Sequence, residues 1–222
     1  MDLILFDVDG TLVDSQHMIV GSMDRAFLAL GREPPSREAT LGVVGLSLQI
    51  AIGRLAPDTD DAGIADLAEA YSRAFQELRA GPHRQEPLFP GALAAIERLG
   101  ARDGVVLGIA TGKSRRGVAS LLDLHALHGR FATIQTADDH PSKPHPSMIL
   151  TALDETGIDP DRAIIVGDSS YDMEMARAAG IRPIGVAWGY MDPETLRRAG
   201  AEAILESYED LDGVAGRLLD WS

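Results

Sequence analysis

Three short runs of branched aliphatic residues punctuate the chain: Leu3 to Phe6, Val105 to Ala110 and Ala163 to Val166. Each is bounded by polar residues or glycine. A run this short, apolar at nearly every position, suits a strand buried on both faces, as in a parallel sheet. Ala132 to Thr136 and Pro183 to Ala187, the latter following Gly180, are weaker candidates for two more strands. Helical patterns lie between. Gly91 to Leu99 carries apolar residues at Leu93, Ile96 and Leu99. Ser114 suits an N-cap for a helix holding Val118, Leu121 and Leu122. Pro146 suits a first helical position ahead of Met148, Ile149 and Leu153, and Asp172 to Ala179 stops at Gly180. Strands alternating with helices predict βαβ units with right-handed crossovers. The expected fold class is α/β, with a doubly wound, Rossmann-like parallel sheet.

One stretch breaks the alternation. From about Ser15 to Glu86 the pattern is helical, with amphipathic segments at Met18 to Leu30 and Ile64 to Leu78. Gly81 to Pro87 reads as a linker. The chain therefore divides into a core domain, 1–14 and 88–222, and a small helical domain, 15–87, inserted after the first strand. A length of 222 residues accommodates both.

Twenty basic against 34 acidic residues give a net charge of −14, which argues against nucleic acid or an anionic membrane as partner. A local cation still permits a small anionic substrate. The absence of cysteine removes disulfides, thiolate nucleophiles and Cys-ligated zinc, and it fits a reducing compartment. Met1 to Asp7 has no basic leader region, its apolar run is too short for a signal peptide, and no apolar stretch approaches the ~20 residues of a membrane span. The expectation is a soluble, cytoplasmic protein.

Open α/β sheets carry their sites at the carboxyl ends of the strands. Asp7, Asp9 and Thr11 follow the first run. Thr111, Gly112 and Lys113 follow the second. Gly167, Asp168, Ser169 and Asp172 follow the third, and Asp138, Asp139 and Lys143 follow the weak fourth. Carboxylates so crowded repel one another unless a cation joins them, and oxygen-only ligands favour a hard ion such as Mg²⁺. Mg²⁺ in turn favours phosphate oxygens. One carboxylate could attack phosphorus, and a second could pass a proton to the leaving oxygen and take one from water. A threonine hydroxyl, backbone N–H groups at a helix start and a lysine would hold the phosphoryl oxygens.

Asp7-Val8-Asp9-Gly10-Thr11-Leu12-Val13-Asp14-Ser15 resembles the first motif of the haloacid dehalogenase-like superfamily. Ala110-Thr111-Gly112-Lys113 resembles its second, Ser142-Lys143-Pro144-His145-Pro146 its third, and Gly167-Asp168-Ser169-Ser170-Tyr171-Asp172-Met173 its fourth. The four stand in family order over essentially the whole chain. The resemblance implies that Asp7 is the nucleophile that becomes a phospho-aspartate. It makes Asp9 the general acid and base, with its backbone carbonyl on the metal. It also implies that Thr111, Gly112 and Lys143 bind the phosphoryl group, and that Asp7, Asp9, Asp168 and Asp172 form the Mg²⁺ site. The insertion corresponds to the family's helical cap, with Leu41 to Ser47 as the loop that reaches the site. Length and cap position are most similar to phosphoglycolate phosphatases, implying a small phosphorylated metabolite as substrate. Inorganic pyrophosphate is an alternative substrate, and a sugar phosphomutase an alternative activity. A mutase would grip a second phosphate from the cap; the Leu41 to Ser47 loop has no Arg or Lys, but Arg37 and Arg54 are nearby. A haloacid dehalogenase would not be expected to keep Asp9 and the full acidic fourth motif, and nothing in the motifs suggests a decayed, binding-only site.

Several residues invite plainer readings. Lys113 reads as a solvent-facing or helix-start lysine, His145 as structural or exposed, and Trp188 and Trp221 as packing anchors. His125 and His128 read as surface histidines with no third zinc ligand in view. Glu206 to Asp212 reads as an acidic helix start. Gly108 to Ser114 is like a phosphate-binding P-loop but has three residues between its glycines where that loop needs four. Arg37, Ser47, Gln49 and Arg54 are the expected specificity residues of the cap. Oligomeric state, monomer or dimer, is not legible.

Overall fold

All five expected strands form, within two residues of their expected bounds, in the computed structural model, which describes residues 1–81 and 86–221. They are β1 (Asp2–Phe6), β2 (Val105–Thr111), β3 (Thr133–Thr136), β4 (Ala163–Gly167) and β5 (Arg182–Val186); a sixth, β6 (Ala203–Leu205), had no sequence signal strong enough to name. The sheet order is β3-β2-β1-β4-β5-β6, and every pairing is parallel. Successive side chains of a strand point to opposite faces. Ile4 and Phe6 therefore enter one core layer with Ile109, Ile164 and Val166, while Leu3 and Leu5 enter the other with Ala110 and Ile165.

Helices cover both faces. α5 (Ala92–Gly100), α6 (Arg115–His125) and α10 (Leu211–Leu218) pack Ile96, Leu121 and Leu211 on the first layer. α7 (Ser147–Thr156) and α8 (Ser170–Ala179) pack Ile149 and Met175 on the second. α9 (Pro193–Ala199) lies between β5 and β6 in the chain. Ser114 caps α6 as expected, its hydroxyl accepting from the Gly117 N–H at 3.2 Å. Pro146 stands one position earlier than expected, as the N-cap of α7 rather than its first helical residue. The acidic stretch Glu206 to Asp212 is not one helix start: a short turn at Tyr208–Asp210 precedes α10.

Between β1 and α5 the chain forms four helices, two more than the periodicity resolved: α1 (Gln16–Ala29), α2 (Arg37–Gly42), α3 (Leu48–Leu55) and α4 (Asp61–Ala80). They share a separate small core in which Met23 and Phe27 of α1 meet Ile52 of α3 and Leu67 of α4. The two connections to the sheet run side by side, Asp14 N–H donating to Pro87 O at 2.9 Å. Part of the expected linker, residues 82–85, lies outside the described residues. Glu86 is no solvated linker residue: its side chain is fully buried. No described helix is long and apolar enough to cross a membrane.

Candidate active site

The chain runs from β1 outward to β2 and β3, then returns to the other flank of β1 with β4. Ligands of such sheets bind where the strand order reverses, at the carboxyl ends. Asp7 stands directly after β1 and donates its N–H to Val166 O in β4 at 2.9 Å. Asp168 stands after β4, and Asp172 is the third residue of α8. All three carboxylates are buried and offer oxygens that lie within 4.8 Å of one another.

Lys143 lies against two of them, Asp7 and Asp172, with no exposed side-chain surface. Its Nζ donates to Asp7 Oδ1 at 2.8 Å and to Asp172 Oδ1 at 2.6 Å. The other oxygen of Asp172 accepts from the Ser169 hydroxyl at 2.6 Å, closing a capping box at the start of α8. Asp168 is oriented by the Tyr190 N–H at 2.8 Å and the Thr11 hydroxyl at 3.3 Å. The Thr11 backbone carbonyl accepts in turn from Trp188 Nε1 at 3.1 Å and from the Tyr208 hydroxyl at 2.8 Å, which pins the loop that carries the first motif. Trp188 thus anchors by hydrogen bonding as well as packing, and Trp221 Nε1 likewise donates to Asp2 Oδ2. Gly10 is required in that loop: its φ is +85°, and a Cβ there would lie 2.1 Å from an Asp168 oxygen.

Three carboxylates are grouped with one ammonium, and the imbalance is visible in the acidity of Asp7 and Asp168. Burial pushes the Asp7 carboxyl up to about 6, Lys143 offsetting part of the effect. Burial also raises Asp168 well above the usual range, with Asp7 and Asp172 adding to it. For Lys143, burial opposes the charge, but the two carboxylates more than offset it and hold the lysine charged. Asp7 Oδ2 has no hydrogen-bond partner among the described residues. An orphaned buried oxygen beside two further carboxylates fits a hard divalent cation. The Asp9 carboxylate is not part of this group.

Asp9 faces a cavity of about 440 Å³ between the sheet and the helices α1 to α4, shared with Asp7, Thr111 and Gly112. Ser15 Oγ donates to Asp9 Oδ1 at 2.6 Å. Lys113 Nζ lies 2.8 and 2.9 Å from the two Asp9 oxygens, with a mostly buried side chain. Lys113 is therefore not solvent-facing, contrary to its sequence reading; its position is set by Asp9, which lies far away in the chain. Val43, Val44, Gly45 and Leu46 reach the cavity as expected of the Leu41 to Ser47 loop. A Cβ at Gly112 would fall 2.4 Å from Gly45 O and 2.7 Å from Leu46 O, so the loop rests directly on Gly112.

The expected specificity residues are elsewhere. Arg37 donates to Gln16, Arg54 donates to the Tyr171 hydroxyl at 2.8 Å, the Ser47 backbone N–H donates to Ser142 Oγ at 2.9 Å, and Gln49 is exposed. None of the four lines the cavity. Its wall comes instead from α4, through Tyr71, Phe75 and Arg79. Their spacing of four places them on one helix face, a signal present in the Ile64 to Leu78 periodicity. Asp138 and Asp139 bind Arg115 at the start of α6 and do not line the cavity. His145 is exposed, His128 pairs with Asp123, and His125 hydrogen-bonds Glu86 O at 2.8 Å.

The family model for haloacid dehalogenase-like hydrolases matches residues 4–186, which include all four motifs. The chain belongs to this family. A phosphoglycolate phosphatase of Pseudomonas putida is 35% identical over 85% of this chain and 70% of its own. A pyrophosphatase of Bacillus pumilus, PpaX, is 33% identical over 97% of both chains. The solved structure of a haloacid dehalogenase-like hydrolase from Bacteroides fragilis superposes with a TM-score of 0.86 at 26% identity, covering 95% of this chain and 99% of that one.

Proposed function

We propose that this family member is a Mg²⁺-dependent phosphatase of a small phosphate monoester, working through a phospho-aspartate on Asp7. The observation that carries the reading is the buried cluster of Asp7, Asp168 and Asp172 around Lys143, with Asp7 Oδ2 left free. Asp7, Asp168 and Asp172, with the Asp9 backbone carbonyl, would hold the ion, which when bound offsets carboxylate and phosphoryl charge. One carboxylate oxygen of Asp7 attacks phosphorus, and the bond to the ester oxygen breaks. Asp9, protonated from solvent once the arriving dianion draws Lys113 away, gives that proton to the leaving oxygen, then takes one from the water that cleaves the acyl phosphate and releases inorganic phosphate. Thr111, the Gly112 backbone and Lys143 bind the phosphoryl oxygens. The arriving dianion competes for Lys113, loosening its grip on Asp9.

In this reading residues 15–87 are a cap over a core of 1–14 and 88–222, and the Gly45–Gly112 contact is the closed state. Gly112→Ala adds a methyl against backbone carbonyls. Overpacking of that kind costs about 1–3 kcal/mol, so closure and kcat/KM should fall roughly tenfold or more. Unchanged kinetics would mean that the loop does not close on Gly112 during turnover.

Phosphate release from phosphoglycolate, pyrophosphate, hexose phosphates and nucleotides, with Mg²⁺ and with EDTA, tests the reaction. Release in Mg²⁺ that EDTA abolishes is expected. No release from any member overturns the phosphatase reading, and release indifferent to EDTA removes the metal. Pyrophosphate hydrolysis is a second reading, favoured by the full-length likeness to the Bacillus pumilus protein. The two arginines named for the mutase alternative, Arg37 and Arg54, are both engaged away from the cavity.

A further inference from the structure

We propose that the leaving group this site accepts is uncharged and largely apolar, about the size of a benzyl group, rather than a second anion. The proposal rests on the phosphatase reading and specifies its substrate class. Three observations support it.

The first is the wall. Beyond Asp7 and Asp9 the apolar part of the wall is formed by Ile19, Met23, Leu48, Ala51, Tyr71 and Phe75, with Ser72 and Gln76 of α4 beside it. The Tyr71 and Phe75 rings lie 5.9 Å apart, tilted by 37°, and form an aromatic corner. A space of about 440 Å³ is within the range of sites for whole organic ligands. A two-carbon acid would leave most of that apolar surface against water.

The second is the charge balance. Lys113 is paired with Asp9 and lies 3.9 Å from Glu86 Oε1. Arg79 grips Glu86 with two parallel hydrogen bonds of 2.8 and 2.7 Å. Both cations also lie against the Phe75 ring, at 5.2 Å for Lys113 Nζ and 5.0 Å for the Arg79 guanidinium. Two cations thus face two carboxylates, and Glu86 is fully buried. A substrate carboxylate or second phosphate would have to displace one of these carboxylates and leave it buried without a partner. Arg116 touches the rim, but it is exposed and donates to Gln76 at 3.4 Å, so solvent screens its charge.

The third is the polar inventory. Thr40 is fully buried on the cavity wall, and its hydroxyl has no partner among the described residues. It can make one hydrogen bond to an uncharged polar atom of the leaving group, a contact that discriminates without charge.

Benzyl phosphate and phosphoglycolate are both esters of primary alcohols, which keeps the leaving-group chemistry similar. With Mg²⁺, kcat/KM for benzyl phosphate is expected to exceed that for phosphoglycolate by roughly tenfold or more. Phe75→Ala should shrink this ratio by roughly tenfold, and Glu86→Gln, which leaves Arg79 with an uncompensated charge, should shift it toward phosphoglycolate. Equal or faster cleavage of phosphoglycolate by the unaltered protein overturns the proposal while the phosphatase reading stands. No phosphate from any ester overturns both. A ratio that Phe75→Ala leaves unchanged removes the aromatic corner from recognition and overturns it as well.

Discussion

Asp7→Asn should abolish phosphate release while leaving the protein folded. The amide matches the carboxylate in size but cannot attack phosphorus, and removing a covalent nucleophile costs on the order of 10⁵–10⁶ in kcat. The fold should tolerate the change because Lys143 keeps Asp172 at 2.6 Å. It should even gain from it. The cluster sets three buried carboxylates against one ammonium, and losing one negative charge relieves desolvation and mutual repulsion. In EDTA the melting temperature should therefore hold or rise by a few degrees, about 2–4 °C for each kcal/mol in a chain of this size. Mg²⁺ should stabilise the unaltered protein more than the variant, because a ligand stabilises only through the state it binds. Retained turnover would mean that Asp7 is not the nucleophile.

Lys143→Met should act in the opposite direction. Methionine fills a similar volume, so the cavity term is small, but Asp7, Asp168 and Asp172 are left buried together with no cation. Removing one partner from a buried charged group costs about 3–5 kcal/mol, which corresponds to a fall in melting temperature on the order of 10 °C in EDTA. Added Mg²⁺ should recover part of that loss, since it supplies positive charge at the same carboxylates. Phosphate release should stay low even with Mg²⁺, because the contact of the lysine with Asp7 is gone. An unchanged melting temperature in EDTA would show that the cluster does not depend on Lys143 for its charge balance.

The residues that these two variants alter are legible in the sequence, and the reason is local. Asp7, Thr111 and Asp168 each stand at the end of a strand whose apolar run is plain, so their convergence follows from parallel topology, whereas Lys143, seven residues past the weak β3, is legible only through its Ser-Lys-Pro-His-Pro setting. β6 escaped because Ala203–Leu205 is only three residues long, and α2 and α3 because neither is long enough to show a clear period. Lys113 was misjudged for a different reason. Nothing in Thr111-Gly112-Lys113-Ser114 says that the ammonium will fold back onto Asp9. Glu86 was hidden in the same way, in a proline-flanked stretch of linker composition, although it is held by Arg79 from α4. The expected specificity residues, Arg37, Ser47, Gln49 and Arg54, are polar side chains in or near the cap loop. The structure lines the cavity with the Tyr71–Phe75–Arg79 face instead, because the small core of α1, α3 and α4 turns that face inward. Periodicity identifies a helix face, but what the face meets is a property of packing.

β1 precedes the other five described strands in the sequence, yet it sits inside the sheet, between β2 and β4. A growing chain completes one flank with β2 and β3 before any of β4 exists. Lys143 emerges next, ahead of Asp168 and Asp172, so the cation is already in place when the second and third carboxylates arrive. The three acids need never be gathered without it. The loop from Asp7 to Thr11 is secured later still, when Trp188 and Tyr208 appear and bind the Thr11 carbonyl. A nascent chain shorter than that carries Asp7 on a loop that lacks these two hydrogen bonds. The order of synthesis thus fastens the loop that carries Asp7 only after both of these aromatic side chains have emerged.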